Sequence, residues 1–357
     1  VIGRTPCVYG DRPVAYRCQA LEGILQAMNT NEEIRSAFEQ VAGSTHAITV
    51  IGSMNADYTV ETERLPLPGE TVNGGPLQIL AGGKSANQAS AAARIGGRVA
   101  MLGAVGDDDN ADFLLEQLRH AGVDVSGVAH LQGPSGTTVI TVDSHAENVI
   151  VYSAGSNGKV DEDYVSAAAS TITASKTLGL CLESPMAAVV RAATIAHDAG
   201  VKVLLNDSPF QKDLPQELVA HADILLVNEH EMAQLLGIEA PADDDWSGMD
   251  WERLALRMND KGFRESIVTL GSEGSCVLSC EEGKGSFTMI PPVPVDAVDT
   301  TGCGDAFMGS ILAGLAADLS LMQSARLASY VAAYAATGLG AQTSYGSAEQ
   351  IIEKFGL

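Results

Sequence analysis

From Ile48 onward the chain repeats one device: a short, nearly unbroken apolar run, then a longer stretch whose apolar residues fall three and four apart. Runs at Ile48–Gly52, Val99–Val105, Thr177–Leu182, Val201–Asn206, Ile224–Asn228 and Ser266–Gly271 read as strands; stretches at about 85–96, 108–121, 186–199, 229–236 and 251–262 read as helices. A strand apolar on both faces must be covered on both, and parallel neighbours need a crossover helix to join them. The alternation therefore predicts an α/β fold, a mostly parallel, doubly wound sheet between two layers of helices.

Two stretches break the rhythm. Residues 58–80 and 137–153 contain strand-like runs with no helix between them, and they predict a small separate β-sheet, a candidate lid. Strands at 275–280 and 285–290 and two Ala-rich helices, about 304–317 and 320–337, close the chain. Residues 1–45 read as an N-terminal helical extension, a hairpin of two short helices. The first is marked by Leu21, Ile24, Leu25 and Met28 and the second by Ile34, Phe38 and Val41, with Thr30 and Glu33 at capping-box spacing and a Gly43-Ser-Thr45 linker at the end. The main domain is then 46–357.

Charge and composition narrow the function. Lys and Arg number 21 against 45 Asp and Glu, so the net charge is −24, the wrong sign for gripping a nucleic-acid backbone over a broad surface. No apolar run reaches the ~18 residues of a membrane span; even the Ala-rich stretch around Tyr330 carries Arg326, Ser329 and Thr337. The six cysteines form no Cys-x-x-Cys pair, and the N-terminus lacks a basic-then-apolar leader pattern. The expectation is a cytoplasmic protein with reduced thiols and no nucleic-acid or membrane partner.

Four motifs carry chemistry. Asp299-Thr-Thr-Gly-Cys-Gly-Asp305 is a glycine-rich turn feeding an apolar helix. Free N–H groups at such a helix start suit a phosphate or the charge of a transferring phosphoryl group, and a carboxylate placed there suits a base that takes a hydroxyl proton. The competing reading of Asp305 is an ordinary helix N-cap. Ala81-Gly-Gly-Lys84-Ser-Ala-Asn87 lacks the spacing of a Walker A loop, because Gln78 stands where the first glycine belongs. It offers glycines that admit a polyol, with Lys84 and Asn87 as donors; a plain turn is the alternative. Asn55 and Asp57 follow the first strand and share a face, suiting vicinal hydroxyls or simple turn chemistry. Asn228 and Glu231, three apart, fit either a hydrated Mg²⁺ beside nucleotide phosphates or a helix cap.

In this order the elements resemble the ribokinase, or PfkB, family of carbohydrate kinases, and the ribokinases most closely. The resemblance runs from about Ile48 to the C-terminus on Gly52-Ser-Met-Asn-Ala-Asp57, Pro68-Gly-Glu-Thr-Val72, Gly82-Gly-Lys-Ser-Ala-Asn-Gln88, Leu182-Glu-Ser-Pro185, Asn228-x-x-Glu231, Thr269-Leu-Gly-Ser-x-Gly274, Asp299-Thr-x-x-x-Gly-Asp305 and Gly340-Ala-Gln-x-Ser344. It implies a three-layer αβα sandwich with a β-lid that clasps a partner's lid in a homodimer, and phosphorylation of D-ribose at its 5-hydroxyl by ATP. It implies Asp305 as base, with Gly302, Cys303 and Gly304 as anion hole, and Asn55, Asp57, Gly83, Lys84, Asn87 and Glu183 as sugar contacts. Asn228, Glu231, Thr269, Gly271, Ser272 and Gly274 fall on the ATP and Mg²⁺ side, with Ser329 near the adenine. Asp299, Thr301, Ala335, Gly338, Gly340 and Ser344 correspond to an oxygen cage for K⁺. Three positions depart from the family pattern: Ser85 for a glycine, expected to crowd the sugar-side turn, Thr343 for a proline, and Ser329 for a histidine. Kinases for deoxyribose, another sugar or a nucleoside, and a non-catalytic sugar sensor, are the alternatives.

Overall fold

The computed structural model describes residues 30–145, 147–242 and 245–357. Nine strands form the main sheet in the order β13-β12-β11-β10-β9-β8-β1-β4-β5. They are β1 (Ala47–Ile51), β4 (Arg98–Val105), β5 (Val128–His130), β8 (Ser175–Leu180), β9 (Lys202–Asn206), β10 (Ile224–Asn228), β11 (Glu265–Thr269), β12 (Ser275–Glu281) and β13 (Lys284–Ile290). All pairings are parallel except the last two, where β12 and β13 run antiparallel at one edge. Successive strand residues serve opposite faces: in β10, Ile224 and Leu226 belong to one core, Leu225 and Val227 to the other. That two-sided burial is why the strands read as continuous apolar runs.

One core is roofed by α1 (residues 30–43), α2 (Lys84–Arg94), α3 (Asp109–His120), α10 (Cys303–Ala316), α11 (Leu321–Ala335) and α12 (Ala348–Phe355). The other is roofed by α4 (Glu162–Ala167), α5 (Ala169–Thr173), α6 (Met186–Asp198), α7 (Gln216–His221), α8 (Glu229–Leu236) and α9 (Trp251–Asp260). Among the described residues no helix is long and apolar enough to cross a membrane. The lid is a four-stranded sheet, β3-β2-β6-β7, made of β2 (Asn55–Glu61), β3 (Gln78–Gly82), β6 (Gly136–Val142) and β7 (Asn148–Ser153). It is mixed: β2 runs antiparallel to β3 but parallel to β6.

The first helix of the expected N-terminal hairpin lies outside the described residues. The second is built into the main core: Ile34, Ala37, Phe38 and Val41 are all buried there. Gln40 Nε2 donates to Ala317 O at 2.6 Å, Arg326 pairs with Glu33 at 3.0 Å, and a Cβ on Gly96 would come within 2.9 Å of Ala42 Cα.

Candidate active site

Chain order reverses between β1 and β8: β4 and β5 extend the sheet on one side of β1, then β8 returns to the other. Open α/β sheets bind ligands at the carboxyl ends of strands beside such a switch point. Here β1 runs into Gly52-Ser53 and β8 into Cys181-Leu-Glu183. The Ser53 hydroxyl donates to Glu183 Oε2, which also accepts the Lys84 N–H at 3.1 Å. Asn55 and Asp57 open the lid strand β2 rather than closing β1, so sheet and lid meet at the cleft.

Each of these side chains has a fixed partner. Asn157 Nδ2 donates to Asn55 Oδ1 at 2.7 Å while Asn157 Oδ1 accepts the Met54 N–H at 3.1 Å. Asp57 Oδ1 accepts from the Thr138 hydroxyl. Burial pushes the Asp57 carboxyl up to about 6, with Glu183 adding to the push and Thr138 opposing it. Two glycines let the α2 turn approach: a Cβ on Gly82 would lie 1.9 Å from Asp57 Oδ2, and Gly83 holds φ +91° with its Cα against the 53–54 backbone. Ser85, expected to crowd this turn, packs its side chain against the end of β1, where a Cβ on Gly52 would lie 2.1 Å from Ser85 Oγ. Its Oγ is buried, donates to Ile51 O at 3.2 Å and pairs with Cys181 Sγ at 3.0 Å.

The opposite wall is the start of α10. Gly302 is the N-cap in the left-handed region (φ 76°), with no side chain capping the helix. Asp305 is thus the third helical residue and not the cap. The orphan N–H groups of a first turn are the anion-binding groups of such a helix. One expected member is already engaged, since the Cys303 N–H donates to Thr300 O at 3.2 Å. Asp305 is held from α2: Asn87 Nδ2 donates to Oδ2 at 2.9 Å and Gln88 Nε2 to Oδ1 at 3.1 Å. Burial raises its carboxyl above the ordinary range, while Lys84, Asn87 and Gln88 favour the ionised form. The Lys84 ammonium is held above its usual value: burial opposes its charge, but Asp305 and Glu183 outweigh it.

On the far side of the sheet switch, Asn228 pairs in register with Thr269 at adjacent strand ends, beside the turn Gly271–Glu273 that ends at Gly274. Asn228 and Glu231 form a reciprocal capping box, with Glu231 N–H to Asn228 Oδ1 at 2.7 Å and Asn228 N–H to Glu231 Oε2 at 2.8 Å. The box engages one of the two carboxylate oxygens of Glu231, Oε2. Ser329 is turned into its own helix, its hydroxyl donating to Ala325 O at 3.1 Å. The 299 turn and the 338–344 loop meet: Asp299 accepts the N–H groups of Thr301 (2.9 Å) and Gly340 (2.8 Å), and Ala335 O accepts the Gly338 N–H (3.1 Å). Although burial alone would raise the Asp299 carboxyl, these hydrogen bonds hold it below its usual range. A Cβ on Gly338 would lie 2.9 Å from Ser344 Cβ. Ser344 Oγ donates to Ala341 O at 2.8 Å, so the segments that meet here carry a carboxylate, main-chain carbonyls and a hydroxyl, oxygen donors of the kind a hard cation takes.

Sequence reasoning missed Ser53, Gln88, Thr138, Asn157, Gln342 and Tyr345. Tyr345 is buried, and its hydroxyl donates to Gly302 O at 2.8 Å. Gln342 Nε2 donates to Asn87 Oδ1 at 3.1 Å. Both Gln88 and Gln342 fall inside quoted motifs, but nothing in their spacing marks them as reaching the cleft.

Known proteins resemble this chain over most of its length. Residues 45–348 match the pfkB family carbohydrate kinase domain. A ribokinase of Haemophilus influenzae is 35% identical over 307 residues, covering 86% of this chain and 97% of that protein. A deoxyribokinase of Salmonella typhi is 33% identical, covering 87% of this chain and 99% of its own. Among solved structures, Arabidopsis thaliana ribokinase complexed with ribose and ATP superposes with a TM-score of 0.76 at 29% identity, covering 86% of this chain and 98% of that one.

Proposed function

Because the chain belongs to the pfkB family of carbohydrate kinases, we propose that it transfers the γ-phosphoryl group of ATP to the 5-hydroxyl of D-ribose, giving D-ribose 5-phosphate and ADP. The observation that carries this is the 2.9 Å bond from Asn87, on the sugar-side turn, to Asp305 at the mouth of α10. It places a carboxylate between a wall of hydroxyl partners and a helix start that favours anions.

In the reaction Asn55, Asp57, Gly83, Lys84, Asn87 and Glu183 hold the sugar. Asp305 accepts the proton of the attacking hydroxyl, and the N–H groups at Gly302, Gly304 and Asp305, with Cys303 once its bond to Thr300 yields, offset charge on the transferring group. The lid closes over the sugar and excludes water, so ATP is not spent on hydrolysis. ATP lies along Asn228, Glu231, Thr269, Gly271, Ser272 and Gly274, with Ser329 near its base. Asn228 and Glu231 would hold Mg²⁺ on this side, where it would neutralise phosphate charge. Asp299, Thr301, Ala335, Gly338, Gly340 and Ser344 would hold K⁺. The enzyme works in the cytoplasm as a homodimer joined through the lid.

A deoxyribose kinase is the second reading, favoured by the Salmonella relative. The two separate on catalytic efficiency across ribose, 2-deoxyribose, hexoses and nucleosides. Ribose is expected to lead 2-deoxyribose, since a missing hydroxyl leaves a buried polar partner unpaired at a cost of ~1–3 kcal/mol. Equal efficiency on both, or a preference for a hexose or nucleoside, overturns the ribose assignment.

A further inference from the structure

Asp305, Asn87 and Gln342 form a chain in which every amide orientation is dictated by the one before it. An ionised carboxylate only accepts hydrogen bonds, so Asn87 must present its NH₂ to Asp305 Oδ2. Its carbonyl oxygen then points away, toward Gln342, and only a donor can satisfy it there. Gln342 supplies that donor through Nε2 at 3.1 Å. Asn87 and Gln342 are both buried, 7% and 6% exposed. Gln342 Oε1 is buried with no hydrogen-bond partner among the described residues. An amide buried at that cost contributes little to folding through its own carbonyl; its hydrogen bond goes to Asn87.

We propose that Gln342 is a positioning residue for phosphoryl transfer. It locks the Asn87 side chain so that the NH₂ faces the base, and it leaves Asn87 a donor only toward the sugar. Without it the Asn87 amide is free to turn over, and a turned amide puts a carbonyl against the Asp305 carboxylate. The same segment also steadies the other half of the catalytic turn. Two residues before Gln342, Gly340 donates to Asp299; three after it, Tyr345 donates to Gly302 O at 2.8 Å. The 340–345 loop thus reaches the helix start through Tyr345 and the partner of the base, Asn87, through Gln342.

The proposal rests on the sugar-kinase reading above, and a double-mutant cycle separates the two. Turnover and KM for ribose at saturating ATP are measured for the parent, Gln342→Met, Asn87→Ala and the double variant. Gln342→Met is expected to lower kcat roughly tenfold, the value of one lost hydrogen bond to a polar partner. In the Asn87→Ala background the same change is expected to have no further effect, because the residue it acts through is gone. Losses that multiply, or parental turnover in Gln342→Met, overturn the proposal. Should the methionine variant fail to fold, Gln342→Glu replaces it. An ionised carboxylate cannot donate, so its loss is expected to be larger than tenfold and again absent once Asn87 is alanine. If the parent does not phosphorylate ribose, the substrate reading has failed, and the cycle run on the sugar it does phosphorylate still decides the role of Gln342.

Discussion

Asp57 is a carboxylate whose environment sets when it can work. Burial pushes its titration up to about 6, with Glu183 reinforcing and Thr138 opposing. As an acceptor for sugar hydroxyls it must be ionised, so KM for ribose is expected to rise severalfold as the pH falls through about 6, and Asp57→Asn is expected to flatten that dependence while raising KM throughout. A KM profile of Asp57→Asn that matches the parent's would remove Asp57 from the sugar site. The sign for stability is opposite to that of a salt-bridged carboxylate: because the folded value is raised, the sugar-free protein loses stability as pH climbs from the ordinary carboxyl range through about 6. Asn55, Asp57, Lys84, Asn87 and Asp305 stood out in the sequence because polar and charged residues sit there beside glycines where strands or turns lead into the next element. Their partners were not. Asn157 reaches Asn55 across 102 positions and Gln342 reaches Asn87 across 255, and no local pattern encodes a contact that the whole fold must close.

At the scale of elements, strands and helices from Ile48 on were readable because two-sided burial and crossover connections leave a period in the sequence. Short pieces were not: β5 spans three residues, Val128–His130, and α7 six, Gln216–His221, too few to show one. The α1 stripe of Ile34, Phe38 and Val41 was visible, but its docking site near Gly96 and Ala317 was not, so its place in the core appears only in three dimensions. The loop 338–344 gives this scale its own prediction. Asp299 ties it to the catalytic turn through Gly340 at 2.8 Å, so a cation that orders the loop also orders the helix start. Turnover at matched ionic strength is expected to be higher in K⁺ than in Na⁺ or a bulky organic cation, and Asp299→Asn is expected to blunt the difference. Identical rates in all three salts would contradict a monovalent-cation site.

The whole molecule is a two-faced sheet carrying a small lid with exposed apolar residues. Val139, Val149 and Val151 share one face of the lid and are each more than half exposed, as is Ile150 on the other face, and β7 forms an edge of its sheet. Open edges and apolar patches of this kind are covered in stable proteins, and in the homodimer proposed above a second lid would supply the matching strands. Sedimentation velocity at micromolar concentration is expected to give a dimer, and Val151→Lys a monomer; a parent that sediments as a monomer would contradict the lid interface.

The fold and the cleft converge on one reaction, so the most direct measurement is the product formed from ribose and ATP, followed by phosphorus and proton NMR. The expected result is one mole of ADP per mole of sugar phosphate, with the new phosphorus signal coupled to the protons on the sugar's fifth carbon and absent when Asp305→Asn replaces the parent. ADP released without a sugar phosphate, or phosphate found on another carbon, would contradict the assignment.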